Sequence, residues 1–259
     1  MEMWKHKFEV KKDRWVYVPS DEMIDFGTKL HIHIISKWKP PLYYYHFRDG
    51  GHVLAGRQHL SNEFFALIDI KSFFESTTQS RVTRELKTLF PYEKARKISK
   101  ISTVRVPTSQ DKKFAIPYGF PQSPILATLC FHNSYAGRVL DSLYKSGLIT
   151  VSIFMDDIIL SCKDMIHLQE KYDEMCEALA KSRYEINKSK SQPPSFGITV
   201  FNLEISNKHY VVTPSRMVEF IRDYAQAENQ YVREGIATYV HTVSPAQAKL
   251  HFPKKPLKQ

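Results

Sequence analysis

The chain has 259 residues, a formal net charge of +10 and 42% hydrophobic residues, which is enough apolar material for one large domain or two small ones. No run approaches the roughly 18 consecutive apolar residues that cross a bilayer. The N-terminus, MEMWKHKFEVKKDRW, lacks the apolar centre of a signal peptide, so no membrane attachment is expected. Cys130, Cys162 and Cys176 form no Cys-x-x-Cys pair, which points to a reducing compartment and away from a disulfide framework or a zinc site. Thirty-seven Lys and Arg against 27 Asp and Glu are compatible with a nucleic-acid partner, and 14 Tyr and 16 Phe add stacking surface.

In chain order, LHIHII (Leu30 to Ile35) alternates like a strand. KPPLYYYHFRDGGHV reads as two short strands around a tight turn at Asp49-Gly50-Gly51. FFALIDI (Phe64 to Ile70) is a buried strand that ends in an acid. SRVTRELKTLF carries Val82, Leu86, Leu89 and Phe90 at helical spacing. Residues 91–113 are polar and basic. A Pro- and Gly-bearing loop then leads into one long helix over residues 123–145, ended by Gly147. VSIFMDDIILS reads as a hairpin. MIHLQEKYDEMCEALAKSRYEI reads as an amphipathic helix with Ile166, Tyr172, Met175, Leu179 and Ala180 inward. GITVFNLEIS and HYVVT are two more strands, residues 214–243 are helical from a Thr213-Pro214 start, and the tail HFPKKPLKQ is expected to fray. The order predicts an α+β fold with a mostly antiparallel sheet.

Within SIFMDDIILS, Asp156 and Asp157 interrupt an apolar run. An Asp-Asp pair suits a hairpin turn. Two packed carboxylates, however, repel and raise each other's pKa unless a cation neutralises them, and Mg²⁺ takes a few carboxylates together with phosphate oxygens. Asp69, at the end of a separate apolar strand, supplies a third acid, as a two-metal phosphoryl-transfer site needs.

These residues fall in an ordered series. LIDIKSFF, YGFPQSPILATL, FMDD, YEINKSKS and VFNLEI resemble successive motifs of the reverse transcriptases, right-hand polymerases with palm, fingers and thumb. DIKSFF, GFPQSPILA and the pattern from VTPSRMVEF to SPAQA resemble the bacterial retron-like and defence-associated branches, the abortive-infection and unknown-group lineages. The usual Pro-Gln-Gly is Pro-Gln-Ser here, and no copy of the basic finger motifs is evident. The resemblance implies short fingers over residues 1–60, a palm over 61–212 with part of the fingers at 85–115, and a thumb-like helical region over 213–259. It implies Asp69, Asp156 and Asp157 as catalytic metal ligands, with the carbonyl of Ile70 adding a backbone ligand. Two Mg²⁺ ions are expected, with Mn²⁺ as an alternative. Phe74 would exclude a ribose 2′-hydroxyl, with Phe73 as the competing choice. Gln122, Lys190 and Arg48 would contact the nucleotide, and Phe201, Leu203, Arg216 and Arg222 the primer and template.

The activity implied is RNA-directed DNA synthesis from dNTPs in the bacterial cytoplasm, as part of antiphage defence, with an RNA template, a DNA product and a noncoding RNA. The short fingers suggest a partner protein or a homo-oligomer. Priming from a protein hydroxyl stays open beside priming from nucleic acid. The rival readings are an RNA-dependent RNA polymerase, a non-catalytic RNA-binding scaffold and a two-metal nuclease, the last lacking the expected extra His and Glu near the acids.

Overall fold

The structure is a computed structural model that describes residues 3–12, 14–107 and 113–252. In chain order it contains β1 (Trp4–Lys11), β2 (Arg14–Pro19), α1 (Asp21–Lys37), a 3₁₀ turn (Tyr45–Phe47), α2 (Gly51–Arg57), β3 (Phe64–Asp69), α3 (Phe73–Ser76), α4 (Gln79–Leu86) and α5 (Tyr92–Ile101). It continues with β4 (Val104–Arg105), β5 (Phe114–Ala115), α6 (Ser123–His132), α7 (Tyr135–Ser146), β6 (Thr150–Phe154), β7 (Asp157–Cys162) and α8 (Met165–Lys181). Last come β8 (Gln192–Ser195), β9 (Gly197–Val200), β10 (Leu203–Ser206), β11 (His209–Val212), α9 (Pro214–Gln226), α10 (Gln230–Val243) and α11 (Pro245–His251). Every paired strand is antiparallel, so the fold is α+β as expected. No helix among the described residues is long and apolar enough to cross a membrane. The chain divides into two units, one of residues 1–42, 70–145 and 174–187, the other of 43–69, 146–173 and 188–259.

In the first unit α1 replaces the strand expected at Leu30 to Ile35. Ser20 caps it, its Oγ accepting from the Met23 N–H at 3.1 Å, and Met23, Gly27, Leu30 and Ile34 form its buried face. The alternation of His31 and His33 with apolar neighbours was the weaker period; Ile32 is 63% exposed. The single helix expected over 123–145 is two, because Ser134 opens a new N-terminus with its Oγ accepting from the Gly137 N–H at 3.2 Å. In the part of α8 that belongs to this unit, Met175, Ala178 and Leu179 are buried and Ala180 faces solvent; in its second-unit part Leu168 is buried, Tyr172 half-buried and Ile166 exposed.

The second unit is built on a sheet of order β6-β7-β3-β8. Pro193 and Pro194 lie in β8, an edge strand where missing N–H donors cost least. The register pairs Phe65 with Ser161, Leu67 with Ile159 and Asp69 with Asp157. These pairs therefore share one face. Phe65, Leu67 and Ile159 join a core completed by β9–β11 and by Met217, Val240, Val243 and Ala248. The segment around Asp49-Gly50-Gly51, expected as two strands, is the 3₁₀ turn followed by α2, with Gly50 at φ 83° as its cap. GITVFNLEIS is two strands, β9 and β10, turning at Phe201-Asn202. The tail expected to fray lies mostly outside the described residues, apart from His251 and Phe252.

On the same sheet face His59 is fully buried between two hydroxyls, Nδ1 2.6 Å from Ser161 Oγ and Nε2 2.8 Å from Ser152 Oγ. Asn62 donates to Ser161 Oγ and Thr150 Oγ1 beside it. Burial pushes the His59 pKa down to about 3. Below the ordinary pKa of 6.5 the unfolded chain therefore binds a proton that the folded chain refuses, and stability falls as pH drops from 6.5 towards 3. The unfolding free energy of the wild type, extrapolated from urea melts, should fall more steeply over this window than that of His59→Asn, the difference approaching about 1.4 kcal/mol per pH unit. Equal slopes would mean that His59 is not held neutral.

Candidate nucleotidyl-transfer site

The acid site grows from the strand register. Along β3 the positions Phe65 and Leu67 point into the core, and Asp69 is next in that row. Its cross-strand neighbour is Asp157, the first residue of β7, which also pairs with Phe154 of β6. Met155 and Asp156 form the two-residue turn between β6 and β7. Met155 has φ 59°, a conformation such turns usually give to glycine. The Met155 N–H donates to His46 Nδ1 at 3.1 Å, which requires that nitrogen to be unprotonated. Burial lowers the His46 pKa to about 4 and keeps it so.

Asp69 is 3% exposed. Its N–H donates to Ser191 Oγ at 3.0 Å, and its Oδ2 accepts from Lys190 Nζ at 3.0 Å. Burial, then the charges of Asp156 and Asp69, push the Asp157 pKa up to about 7, with Lys190 opposing. The hydrogen bond to Asp69 raises the pKa of Lys190 in turn. The acids thus carry more negative charge than one lysine satisfies.

A cavity of about 570 Å³ brings together Asp69, Asp157, Lys190, Phe201 and Asn202. Phe201 and Asn202 make the β9–β10 turn with φ of 57° and 60°. That geometry is ordinary for Asn and costly for Phe. The Phe201 ring is held edge-on to His52 and Phe154, with centroids 5.4 and 5.5 Å away. A neighbouring cavity of about 500 Å³ is lined by His52, Phe201, Arg216, Phe220 and Tyr239. Arg216 pairs with Glu219 and lies over Phe220 at 4.5 Å. Sequence reasoning missed His46, His52 and Tyr239, because single aromatic and histidine residues in a helical or turn context carry no spacing signal.

Three expected contacts are placed elsewhere. Leu203 is fully buried in the core of the second unit and has no surface to offer a primer. Arg48 is exposed over the Tyr45 ring at 4.7 Å and does not line the acid cavity. Arg222 is exposed and pairs with Asp223 at 3.1 Å, outside both cavities.

In the first unit Gln122 is fully buried, its Nε2 donating to Ser102 Oγ at 3.2 Å and to the Met23 sulfur at 3.2 Å. Gly27 makes room for it, since a Cβ there would lie 2.4 Å from the Gln122 Oε1. Gln122 locks α1 to the loop before α6 and faces inward, not towards a nucleotide. Phe73 and Phe74 sit on the short helix α3, not on a strand, and diverge by helical rotation. Both are buried: Phe73 packs on Phe131 and Tyr184, while Phe74, 5% exposed, lies tilted against Tyr118 with centroids 4.8 Å apart. Tyr118 carries Arg14 over its ring at 4.3 Å and accepts from the Tyr17 N–H at 2.9 Å. Gly119, at φ 104°, permits this contact, since a Cβ would lie 2.1 Å from the Tyr17 carbonyl oxygen. Ile70 is buried and bridges to Ile186.

Among the described residues no group of three or more His, Cys, Asp or Glu side chains closes to metal-binding distances. Asp69 opposite Asp157, with Asp156 on the turn between β6 and β7, is nevertheless an all-oxygen set of the kind Mg²⁺ takes, and burial first, then the neighbouring carboxylates, raise the Asp157 pKa. The antiparallel sheet β6-β7-β3-β8 thus carries the acids at one end. Residues 28–213 match the reverse transcriptase (RNA-dependent DNA polymerase) family, and the chain belongs to it. Members of that family generally use divalent metals.

No curated protein matches the sequence. Solved structures that resemble it include the foamy viral protease-reverse transcriptase with double-stranded DNA, at 18% identity and TM-score 0.43, covering 72% of this chain and 29% of that one. The same viral protein with an RNA/DNA hybrid gives 17% identity and TM-score 0.43, covering 70% and 22%. Telomerase from Candida tropicalis gives 12% identity and TM-score 0.40, covering 74% and 39%. The chain therefore spans well under half the length of these structures.

Replacing Asp157 by Asn removes a buried like charge. In a metal chelator at pH 8 the variant should unfold about 1 kcal/mol less readily than the wild type. Adding Mg²⁺ should erase or reverse that gap. A variant less stable in chelator would mean that Asp157 is already neutralised within the protein.

Proposed function

We propose that the chain is an RNA-directed DNA polymerase that extends a primer by nucleotidyl transfer at Asp69, Asp156 and Asp157. The observation that carries this reading is the register of Asp69 against Asp157 beside the Met155-Asp156 turn, in a chain of the reverse transcriptase family. In the reaction a primer 3′-oxygen bonds to the α-phosphorus of a dNTP, the α–β bridging bond breaks, pyrophosphate leaves and the hydroxyl proton is released. Two bound Mg²⁺ ions would activate the hydroxyl and neutralise the pyrophosphate.

The side chains have separate tasks. The carboxylates of Asp69 and Asp156 hold the divalent charge, and Asp157 completes the anionic site. Lys190, which screens Asp69 at 3.0 Å, exchanges that partner for an anionic substrate oxygen or gives a proton to the leaving pyrophosphate. Phe201, Arg216 and Tyr239 form an aromatic and cationic wall for the primer strand. By the family pattern alone, Phe74 is assigned as the discriminator against a 2′-hydroxyl.

The motifs DIKSFF and GFPQSPILA support placing the chain in the bacterial defence-associated branch, acting in the cytoplasm with a noncoding RNA, an RNA template and a partner protein or second copy. Purifying the protein from its host and sequencing the associated RNA and new DNA tests that placement; recovery of only random transcripts would refute it.

Asp69→Asn and Asp156→Asn should each lower extension of an annealed RNA–DNA primer–template by at least about 10³-fold while leaving its binding within a few-fold. Phe74→Ala should raise rNTP incorporation relative to dNTP by tenfold or more. Retained extension in both Asp variants would end the enzymatic reading, and an unchanged dNTP preference in Phe74→Ala would remove that residue from it.

A further inference from the structure

We infer that the first unit carries a second nucleic-acid site, a basic trough that holds the phosphodiester backbone of a single strand. The trough encloses about 1100 Å³ between α3–α4 and the segments around Ser134 and Ser182. Lys71, Arg81, Arg84, Arg138, Lys181 and Arg183 line it, with Lys113 as a further base, and its acids are Glu75 and Glu185. None of the residues assigned to nucleotidyl transfer lines it.

The cations are held in place before any ligand arrives. The Arg81 guanidinium donates to the carbonyls of Ser182 at 2.6 Å and Arg183 at 3.3 Å, and lies 4.5 Å over the Tyr184 ring. Arg84 donates to Glu85 at 2.7 Å, and Arg138 to the Asn133 carbonyl at 3.2 Å. A guanidinium has five N–H donors, so each arginine keeps donors for a phosphate after these tethers are made.

The backbone gives an independent sign. Ser72, lining the trough, holds φ of 48°, whereas the φ of 59° at Arg183 closes the C-terminus of α8, where the Tyr184 N–H donates to the Leu179 carbonyl at 2.9 Å. The Ser72 backbone is strained, and such strain gathers at functional sites.

The lining also selects the ligand class. Sites for small molecules are mostly apolar with a few polar anchors. Here charged and hydroxyl-bearing residues dominate, with Tyr135 as an exposed ring flanked by Arg138 and Lys181. Lys71, Arg84 and Lys181 are paired with Glu185, Glu85 and Glu177 at 3.0, 2.7 and 3.3 Å, and the bases still outnumber these acids, an excess that a polyanion would balance. A row of phosphates with a base resting on an exposed ring meets both demands.

The test uses the full chain with the polymerase site blocked by saturating unlabelled primer–template duplex. Fluorescent 20-nucleotide oligo(U) is then titrated at several salt concentrations. In Arg138→Glu/Lys181→Glu its Kd should rise at least tenfold, and the slope of log K against log salt should shrink by about 1.4, the value for two single-strand phosphate contacts. The control Lys100→Glu/Lys163→Glu makes the same charge change at exposed positions outside the trough and should stay within threefold. Extension of pre-annealed primer–template should be unchanged in the trough variant, which separates failure here from failure of the polymerase reading. Equal losses in both double variants, with matched thermal melts, would reduce the trough to a diffuse field and overturn the proposal. Displacement of oligo(U) by equimolar tripolyphosphate would assign it to a small anion and overturn it equally.

Discussion

The second unit turns on a single repulsion, the meeting of Asp69 and Asp157 as direct cross-strand neighbours. Like charges opposite one another destabilise a sheet. They persist because the strands behind them have no other register. Both faces of β3 are buried, so a one-residue slip would exchange the bulky Phe65 and Leu67 with Ala66 and Ile68 between them and spoil the packing of each. The hydrophobic rows fix the register, the register fixes the acids, and the acids are left needing positive charge. Lys190 supplies some of it, its Nζ 3.0 Å from Asp69 Oδ2. The apolar flanks of SIFMDDIILS are therefore the clamp that holds the acids against their own repulsion.

Rigid turns finish what the register begins. Met155 and Phe201 both hold positive φ where glycine or asparagine would be cheaper. Each is locked from behind: Met155 by a hydrogen bond to a neutral histidine, Phe201 by rings on two sides. Changing either to glycine would relax the turn and release the side chain or carboxylate it positions. The low pKa of His46 belongs to the same arrangement, since a protonated Nδ1 could not accept from the turn.

How far the sequence could be read follows from which forces were local. The strand Phe64–Asp69, the hairpin at Asp156-Asp157 and the Thr213 cap each declared themselves within a few residues, by period or by capping chemistry. The α1 segment misled because His31 and His33 alternate with isoleucines, while the face that decides is spread over Met23, Gly27, Leu30 and Ile34. Gln122 misled differently. A polar residue in a family motif invites a ligand contact, yet its burial depends on Gly27, almost a hundred positions away, which no local pattern encodes. Leu203 and Phe201 are near neighbours in one motif, and only the turn geometry separates the buried one from the one that lines a cavity.

Net charge was the bluntest signal, and the structure gives it an address. A surplus of ten positive charges says nothing about where a partner would lie. In the first unit seven of the bases converge on one trough, while in the second the buried groups in need of a counter-charge are acids. The two demands are opposite in sign, yet one ligand class answers both. Phosphates satisfy the bases directly and recruit the divalent cations that satisfy the acids. The ion pairs Lys71–Glu185, Arg84–Glu85, Lys181–Glu177 and Lys190–Asp69 offset part of each set, and a small neutral ligand would add nothing to that balance. The nucleic-acid ligand proposed above would relieve each imbalance, and its binding would then draw on the same electrostatic deficit as folding.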